Sequence, residues 1–239
     1  MVKIITRVER VPTGIPGFDK LIDGGFVKNS INLITGGAGT GKSIFAMQYI
    51  LNGILNYNET GLFVSFEEKI ENLKEDALVF GWDFDKLEKE GKCKFLYVGP
   101  YTSADFLSIL SKEISRFKPK RVVIDSLSIL AMALKDGFNS RKHLFEIASL
   151  LQYLNCTSIL TSEIAGEASI DISSGEQLSR TGVEEFIADS VTTLHNTGLG
   201  GEGDRAVRVV KMRRTNHIKG PVPMKITNQG VTVLSKKGY

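Results

Sequence analysis

Apolar positions change their spacing along the chain, and the changes mark out its elements. Ile31-Asn32-Leu33-Ile34-Thr35 is short, apolar and partly β-branched, the pattern of a buried strand. After a glycine-rich stretch, Ile44, Met47 and Leu51 recur at helical spacing. Gly61-Leu62-Phe63-Val64-Ser65-Phe66 predicts a second strand, and Leu73, Ala77 and Phe80 a helix closed by Gly81-Trp82. Lys94-Phe95-Leu96-Tyr97-Val98 is a third strand; Phe106, Ile109, Leu110 and Ile114 mark a helix that stops near Pro119. Arg121-Val122-Val123-Ile124-Asp125 is a fourth strand. Leu144, Ile147, Leu151 and Leu154 share a helix face, and Thr157-Ser158-Ile159-Leu160-Thr161-Ser162 is a fifth strand. This alternation from residue 31 to about 162 predicts a mainly parallel sheet with helices on both faces, joined by right-handed crossovers. Residues 190–194 then predict a further strand, and 224–226 and 231–234 close the sheet as an antiparallel C-terminal extension.

Three stretches break the rhythm. Residues 10–30 are turn-rich, with Phe18 and Leu21 on one side of a short helix, and from composition form a surface cap. Residues 164–181 are small, polar and partly acidic, the composition of a long surface loop. Residues 197–204 predict a hairpin-like connection.

The stretch between the first strand and its helix is Gly36-Gly37-Ala38-Gly39-Thr40-Gly41-Lys42-Ser43, which fits the phosphate-loop pattern G-x-x-x-x-G-K-[ST] in the strand-loop-helix context that pattern requires. Glycines let the backbone fold round a polyphosphate, and the N–H groups of Gly37, Ala38, Gly39, Thr40 and Gly41 would point at the anion. Lys42 would reach the β- and γ-phosphates, and the Ser43 hydroxyl would ligate Mg²⁺. Asp125, at the end of an apolar strand, either holds Mg²⁺ with Ser43 or caps the next helix. Glu67 and Glu68 follow the second strand, where carboxylates either face water or act on it. If the strand continues through them they point opposite ways, so one of the two would deprotonate the attacking water; the sequence does not choose between them. The phosphate loop, Glu67, Glu68, Asp125, Ser162 and Glu163 all fall at strand carboxyl ends, where ligands of such sheets bind.

Composition narrows the class without naming a substrate. The 239 residues suit one large α/β domain spanning 1–239; 42% are hydrophobic and 24% charged. No apolar run reaches the roughly 20 residues of a membrane span, and the first ten residues carry no signal core, so the expectation is a cytoplasmic protein with no membrane partner. Cys93 and Cys156 have no metal-ligand spacing and would pack as small apolar groups. A net charge of +3 is too small to imply nucleic acid. The most basic piece, residues 205–219, holds six Lys or Arg and no acid. It is either a solvated edge strand or a phosphate contact, with Lys211 and Arg213 sharing a strand face and Arg214 opposite.

Taken together these stretches resemble the KaiC-like branch of the RecA-type P-loop ATPases. The resemblance runs over residues 8–235 and rests on Thr13-Gly14-Ile15-Pro16-Gly17-Phe18-Asp19 with Gly24-Gly25-Phe26, on Phe66-Glu67-Glu68, on Phe80-Gly81-Trp82-Asp83 and on Val123-Ile124-Asp125-Ser126. Gly182-Val183-Glu184-Glu185-Phe186 and Lys211-Met212-Arg213-Arg214-Thr215-Asn216-His217 resemble its two late signatures. The resemblance implies a RecA-like fold that binds ATP or ADP with Mg²⁺, as a slow ATPase. It implies a homo-oligomeric ring, commonly a hexamer, with ATP between subunits and an unidentified protein partner. Lys211, Met212, Arg213, Thr215 and His217 of one subunit would meet the nucleotide of the next. Val79, Thr227 and Asn228 match positions near base and ribose, although the family usually has Asp where Asn228 stands and Gly where Arg214 stands. Residues 173 and 174 lie loosely where a tandem relative phosphorylates itself, but the 182–186 signature is that of the ATPase-only domain, so no autokinase activity is expected. Two rivals stay open: an ATPase that forms filaments on single-stranded DNA, and a non-hydrolysing switch held together by ATP. The acidic 164–181 stretch opposes the first and the Glu67-Glu68 pair the second.

Overall fold

The computed structural model describes residues 8–99, 105–133, 137–164, 178–179, 182–198, 201 and 204–234. β3 (Ile31–Gly36) is buried along its whole length and leads directly into the phosphate loop and α2 (Lys42–Tyr57). On one side of it stand β7 (Thr157–Glu163), β6 (Arg121–Asp125), β4 (Gly61–Ser65) and β5 (Cys93–Tyr97), all parallel. On its other side β8 (Ser190–Asn196) is also parallel, and β9 (Arg205–Met212), β10 (Pro221–Thr227) and β11 (Gly230–Val233) continue the sheet antiparallel. The order β11-β10-β9-β8-β3-β7-β6-β4-β5 is the mainly parallel sheet expected from the alternation of periods, with an antiparallel C-terminal extension.

Both faces are covered because consecutive residues of a strand point to opposite sides. Ile34, Phe63 and Val123 pack with α1 (Phe18–Leu21), α2, α3 (Ile70–Leu78) and α4 (Phe84–Lys89). Ile31, Leu33, Val64 and Ile124 pack with α5 (Phe106–Phe117), α6 (Leu127–Ala133), α7 (Gly137–Tyr153) and α8 (Glu184–Ile187). Each fully buried large apolar side chain contributes about 1.5–3 kcal/mol, so two such layers hold the sheet between them. The register brings strand ends level: Gly36 lies opposite Leu194 and Glu163, and Ser65 opposite Asp125.

Residues 10–30 are not a surface cap. Ile15, Phe18, Leu21, Ile22 and Phe26 join the core beside α2, with Phe18 edge-on to Phe45 at 5.0 Å. Asp19 folds the segment by accepting from Thr13 N, Thr13 Oγ1 and Gly14 N. Arg10–Val11 (β1) pairs with Phe26–Val27 (β2) in a separate two-stranded ribbon. The basic strand is not an edge either: β9 has β8 and the β10–β11 hairpin on its two sides. Arg121, expected only as the start of a strand, is the largest fully buried side chain among the described residues. It pairs with Glu59 at 2.5 Å, donates to Tyr49 O and Pro12 O at 2.8 Å each, and lies over the Tyr49 ring. The thiols are inert packing groups, burial pushing Cys93 up to about 12 and Cys156 up to about 11. Among the described residues no helix is long and apolar enough to cross a membrane. The stretch 165–177 and its residues 173 and 174 lie outside the described residues.

Candidate functional site

The phosphate loop is shaped for an anion. Gly41 takes φ 100° at the N-cap of α2 and offers no side-chain cap, so the first N–H groups of this 16-residue helix are not spent on a capping side chain. A Cβ on Gly37 or Gly39 would meet nothing within 4 Å, so the loop presents bare backbone on its outer side. Thr40 Oγ1 ties the loop by donating to Gly37 O at 2.9 Å. Lys42 Nζ donates to Gly36 O and Gly37 O at 3.0 and 2.9 Å, which places its ammonium over the cradle. Burial pushes the Lys42 pKa down, against the pull of Glu163, Asp125 and Glu67.

Those three carboxylates end three different segments. Asp125 closes β6 and accepts from Thr161 Oγ1. Glu163 ends β7 beside Gly36. Glu67 lies past the end of β4, in a turn, and so does Glu68; the opposite-faces expectation for a continuing strand therefore does not apply. Ser65 Oγ builds the turn by donating to Glu68 O at 2.6 Å and accepting from Glu68 N at 3.1 Å. Burial, and then the charges of Asp125 and Glu163, hold the Glu67 pKa above its usual value, while Lys42 and the Ser126 hydroxyl act to lower it. Glu68 is raised by burial and then by Asp76, with Asp125 and Glu67 following, and Lys42 does not act on it. Of the pair, Glu67 is the one whose carboxylate feels the Lys42 charge. Ser43 and Asp125 supply a hydroxyl and a carboxylate, hard oxygen donors that suit Mg²⁺, which keeps most of its shell for water and phosphate. Ser162 is not part of this cluster: it is fully buried on the other face, 3.1 Å from Ser128 Oγ.

The β10–β11 hairpin closes over the same edge. A Cβ on Gly41 would lie 2.6 Å from Ile226 Cδ1, so the hairpin side chain lies directly against the loop, at a glycine that φ 100° already requires. Thr227 ends β10 and Asn228 enters the hairpin turn, where Thr227 Oγ1 accepts from Gln229 N at 3.2 Å. The Trp82 ring packs against Gly230 of that turn and stacks on Phe80 at 4.7 Å, which brings Val79, 74% exposed, to the same corner. Arg205 was not singled out by the sequence pattern. It opens β9 at this edge, and its Nη1 donates to Gly39 O at 2.7 Å.

The late basic signature sits elsewhere. Met212 pairs with Ser190, which pairs with Asn32, so Lys211 and Met212 are level with the amino ends of the parallel strands. Lys211 Nζ donates to Glu185 O at 2.9 Å and Ala188 O at 2.7 Å; burial, and then Arg213, push its pKa down. The Met212 side chain packs into the core. Arg213 lies beyond β9, so the shared strand face expected for Lys211 and Arg213 does not form. Instead Arg213 and Arg214 both approach Asp189 Oδ1, at 3.6 and 3.7 Å. Arg214 takes φ 59°, the conformation glycine adopts most readily, at the position where the sequence pattern expects glycine. Thr215 Oγ1 accepts from Arg10 Nη1 at 3.0 Å, and His217 Nδ1 lies 3.1 Å from Ile218 O.

Known proteins are similar to this chain in sequence and fold. A family model described as the ATPase KaiC matches residues 11–238. The circadian clock protein KaiC3 of a Synechocystis strain is 35% identical over 239 residues, covering 95% of this chain and 46% of that protein. The circadian clock oscillator protein KaiC of Thermosynechococcus vestitus is 36% identical over 232 residues, 93% of this chain and 43% of that protein. The chain thus spans less than half the length of these curated relatives. The crystal structure of a KaiC-like protein from the archaeon Pyrococcus horikoshii superposes with a TM-score of 0.85 at 38% identity, covering 96% of this chain and all of that one.

Proposed function

The chain belongs to the KaiC family of ATPases, with the RecA-like fold of its solved relative, and on that premise we propose that it hydrolyses Mg·ATP at sites completed by two copies of itself. The observation that carries this reading is the separation of the two cation sets. The loop with Lys42 stands at the carboxyl edge of the parallel strands, and Lys211 and Arg213 at the amino edge. One copy cannot bring both to one phosphate; two copies packed edge to edge can.

In this reading the N–H groups of residues 37–41 and the Lys42 ammonium hold the phosphates. Ser43 and Asp125 hold Mg²⁺, which when bound offsets charge on the phosphate oxygens. Glu67 orients the attacking water and accepts its proton, and its raised pKa makes it a better base than an ordinary carboxylate. Lys211 and Arg213 of a neighbouring copy offset the charge that develops on the γ-phosphoryl group, as trans arginines do elsewhere. Val79, Thr227 and Asn228 line the side where base and ribose lie, and Met212, Thr215 and His217 complete the neighbour's contribution. The assembly is a homo-oligomeric ring, hexameric as in the family pattern, with slow turnover. It serves regulation or signalling through a protein partner, in keeping with relatives named for clock function.

The test is mass by light scattering with and without Mg·ATP, alongside phosphate release. The expected result is a closed oligomer near six copies with slow release. A monomer in both conditions that still hydrolyses ATP would overturn the two-copy site.

A further inference from the structure

Glu184, within the 182–186 signature, is fully buried and has no role in the site described above. Its carboxylate accepts from Ser179 Oγ at 2.7 Å, Val183 N at 3.1 Å and Ser162 Oγ at 3.3 Å. A carboxylate is costly to keep in a protein interior, and three donors in place make it a fixed point.

Two paths leave that point. From Ser162 one runs to the nucleotide edge. Ser162 Oγ lies 3.1 Å from Ser128 Oγ, which accepts from Glu163 N at 2.7 Å. Glu163, like Asp125, is a carboxylate whose charge acts on both Lys42 and Glu67. The other path runs through the single turn of α8 to the opposite edge. There Glu185 O and Ala188 O hold Lys211 Nζ, and Asp189 O accepts from Arg213 N at 2.9 Å. The segment 183–189 is therefore a cradle for the basic side chains, and Glu184 is its attachment to β7.

We propose that Glu184 is a positioning residue that ties the Lys211–Arg213 segment to the nucleotide site of its own subunit, so that each copy presents its cations to the neighbour in step with its own ATP. The proposal rests on the two-copy site and adds to it. Phosphate arriving at Lys42 changes the charge that Glu163 faces. The Glu163 N–H, Ser128, Ser162 and Glu184 carry the adjustment to α8, and α8 sets where Lys211 and Arg213 point. Coupling of this kind needs packed polar contacts with two discrete arrangements, and the buried Ser162 hydroxyl has two, lying 3.3 Å from both Glu184 Oε1 and Glu163 O.

Mixed assemblies test it. Arg213→Ala subunits keep an intact ATP site and lack the cation, so turnover in the mixture reports what the donor subunit presents. Two donors are compared: Glu67→Gln, which holds ATP without cleaving it, and Lys42→Ala, which holds none. The expected result is neighbour turnover about fivefold or more higher with the ATP-holding donor, at unchanged KM. Adding Glu184→Gln to the donors should erase that difference, whereas adding it to the Arg213→Ala subunits should not. A purely structural role would make no such distinction between donor and acceptor. Ser162→Ala carries the same comparison if Glu184→Gln fails to fold. Equal turnover with the two donors, or a difference that survives Glu184→Gln or Ser162→Ala, would overturn the proposal alone. No turnover in any mixture would overturn the two-copy site itself.

Discussion

Lys42 and Lys211 stand at opposite edges and on opposite faces of one sheet. Lys42 opens α2, just past Gly36 at the carboxyl end of β3. Lys211 lies level with Val191 and so with Leu33, and its ammonium is held by the carbonyls of α8 on the other face. From Leu33 to Gly36 the strand alone spans roughly 10 Å. Arg213, next to Lys211, is 56% exposed and only loosely paired with Asp189, so it is accessible to another copy. Arg213→Ala should leave ATP binding intact, read with a fluorescent nucleotide, and lower phosphate release by about 10³-fold. Near-wild-type release in this variant would show that the cation is not used.

Arg205 makes a different prediction, because it contacts the loop of its own chain. Its bond to Gly39 O fixes the loop from outside. Arg205→Ala should weaken ATP and ADP binding severalfold while leaving the oligomer mass unchanged, with titration calorimetry and light scattering as the two readouts. Unchanged affinity would mean that the loop holds its shape without this contact.

The surroundings of Glu67 disfavour its charged form, and this has a thermal signature. Its pKa is raised by burial and by the charges of Asp125 and Glu163, so the folded state binds its proton more tightly than the unfolded chain does. The stability tied to that proton is present below the ordinary glutamate pKa and is lost as pH rises through the higher folded value. Glu67→Gln should therefore raise the Tm of the nucleotide-free protein at neutral pH while abolishing turnover. The gain should shrink toward zero as pH falls below that of an ordinary carboxylate. A Tm gain independent of pH would contradict the electrostatic account.

Arg121 carries stability rather than catalysis. It is 1% exposed, pairs with Glu59 and ties α2 to the opening segment through Tyr49 O and Pro12 O. Arg121→Leu leaves those carbonyls without their donor and should cost about 3 kcal/mol, read from urea unfolding. A change within a few tenths of that of wild type would mean that the cluster relaxes around the loss.

The parts of this molecule that could be read from the sequence are those whose signal is local. Strand, loop and helix around Lys42 are contiguous, and Asp125 ends an apolar run, so period and motif place them. The opening segment was obscured because its apolar residues Ile15, Phe18, Leu21, Ile22 and Phe26 follow no single period among glycines and prolines. The charges on β9 point to an edge strand, but the hairpin that covers it comes later in the chain. Arg205 meets Gly39 across 166 residues, and Glu184 meets Ser162 across 22, separations at which no spacing rule applies. Arg213 and Arg214 converge on Asp189 because the strand ends at Met212 and the chain turns at Arg214, which alternation along a strand does not foresee.

The two-copy site is tested most directly by mixing two inactive variants. Lys42→Ala lacks a working loop but keeps Arg213, and Arg213→Ala keeps the loop but lacks the cation. If the site is shared, the mixture should release phosphate at a rate well above the sum of the two alone, rising with the fraction of mixed interfaces. If the mixture hydrolyses ATP no faster than that sum, while both variants assemble as wild type does, the cations act within their own copy or not at all.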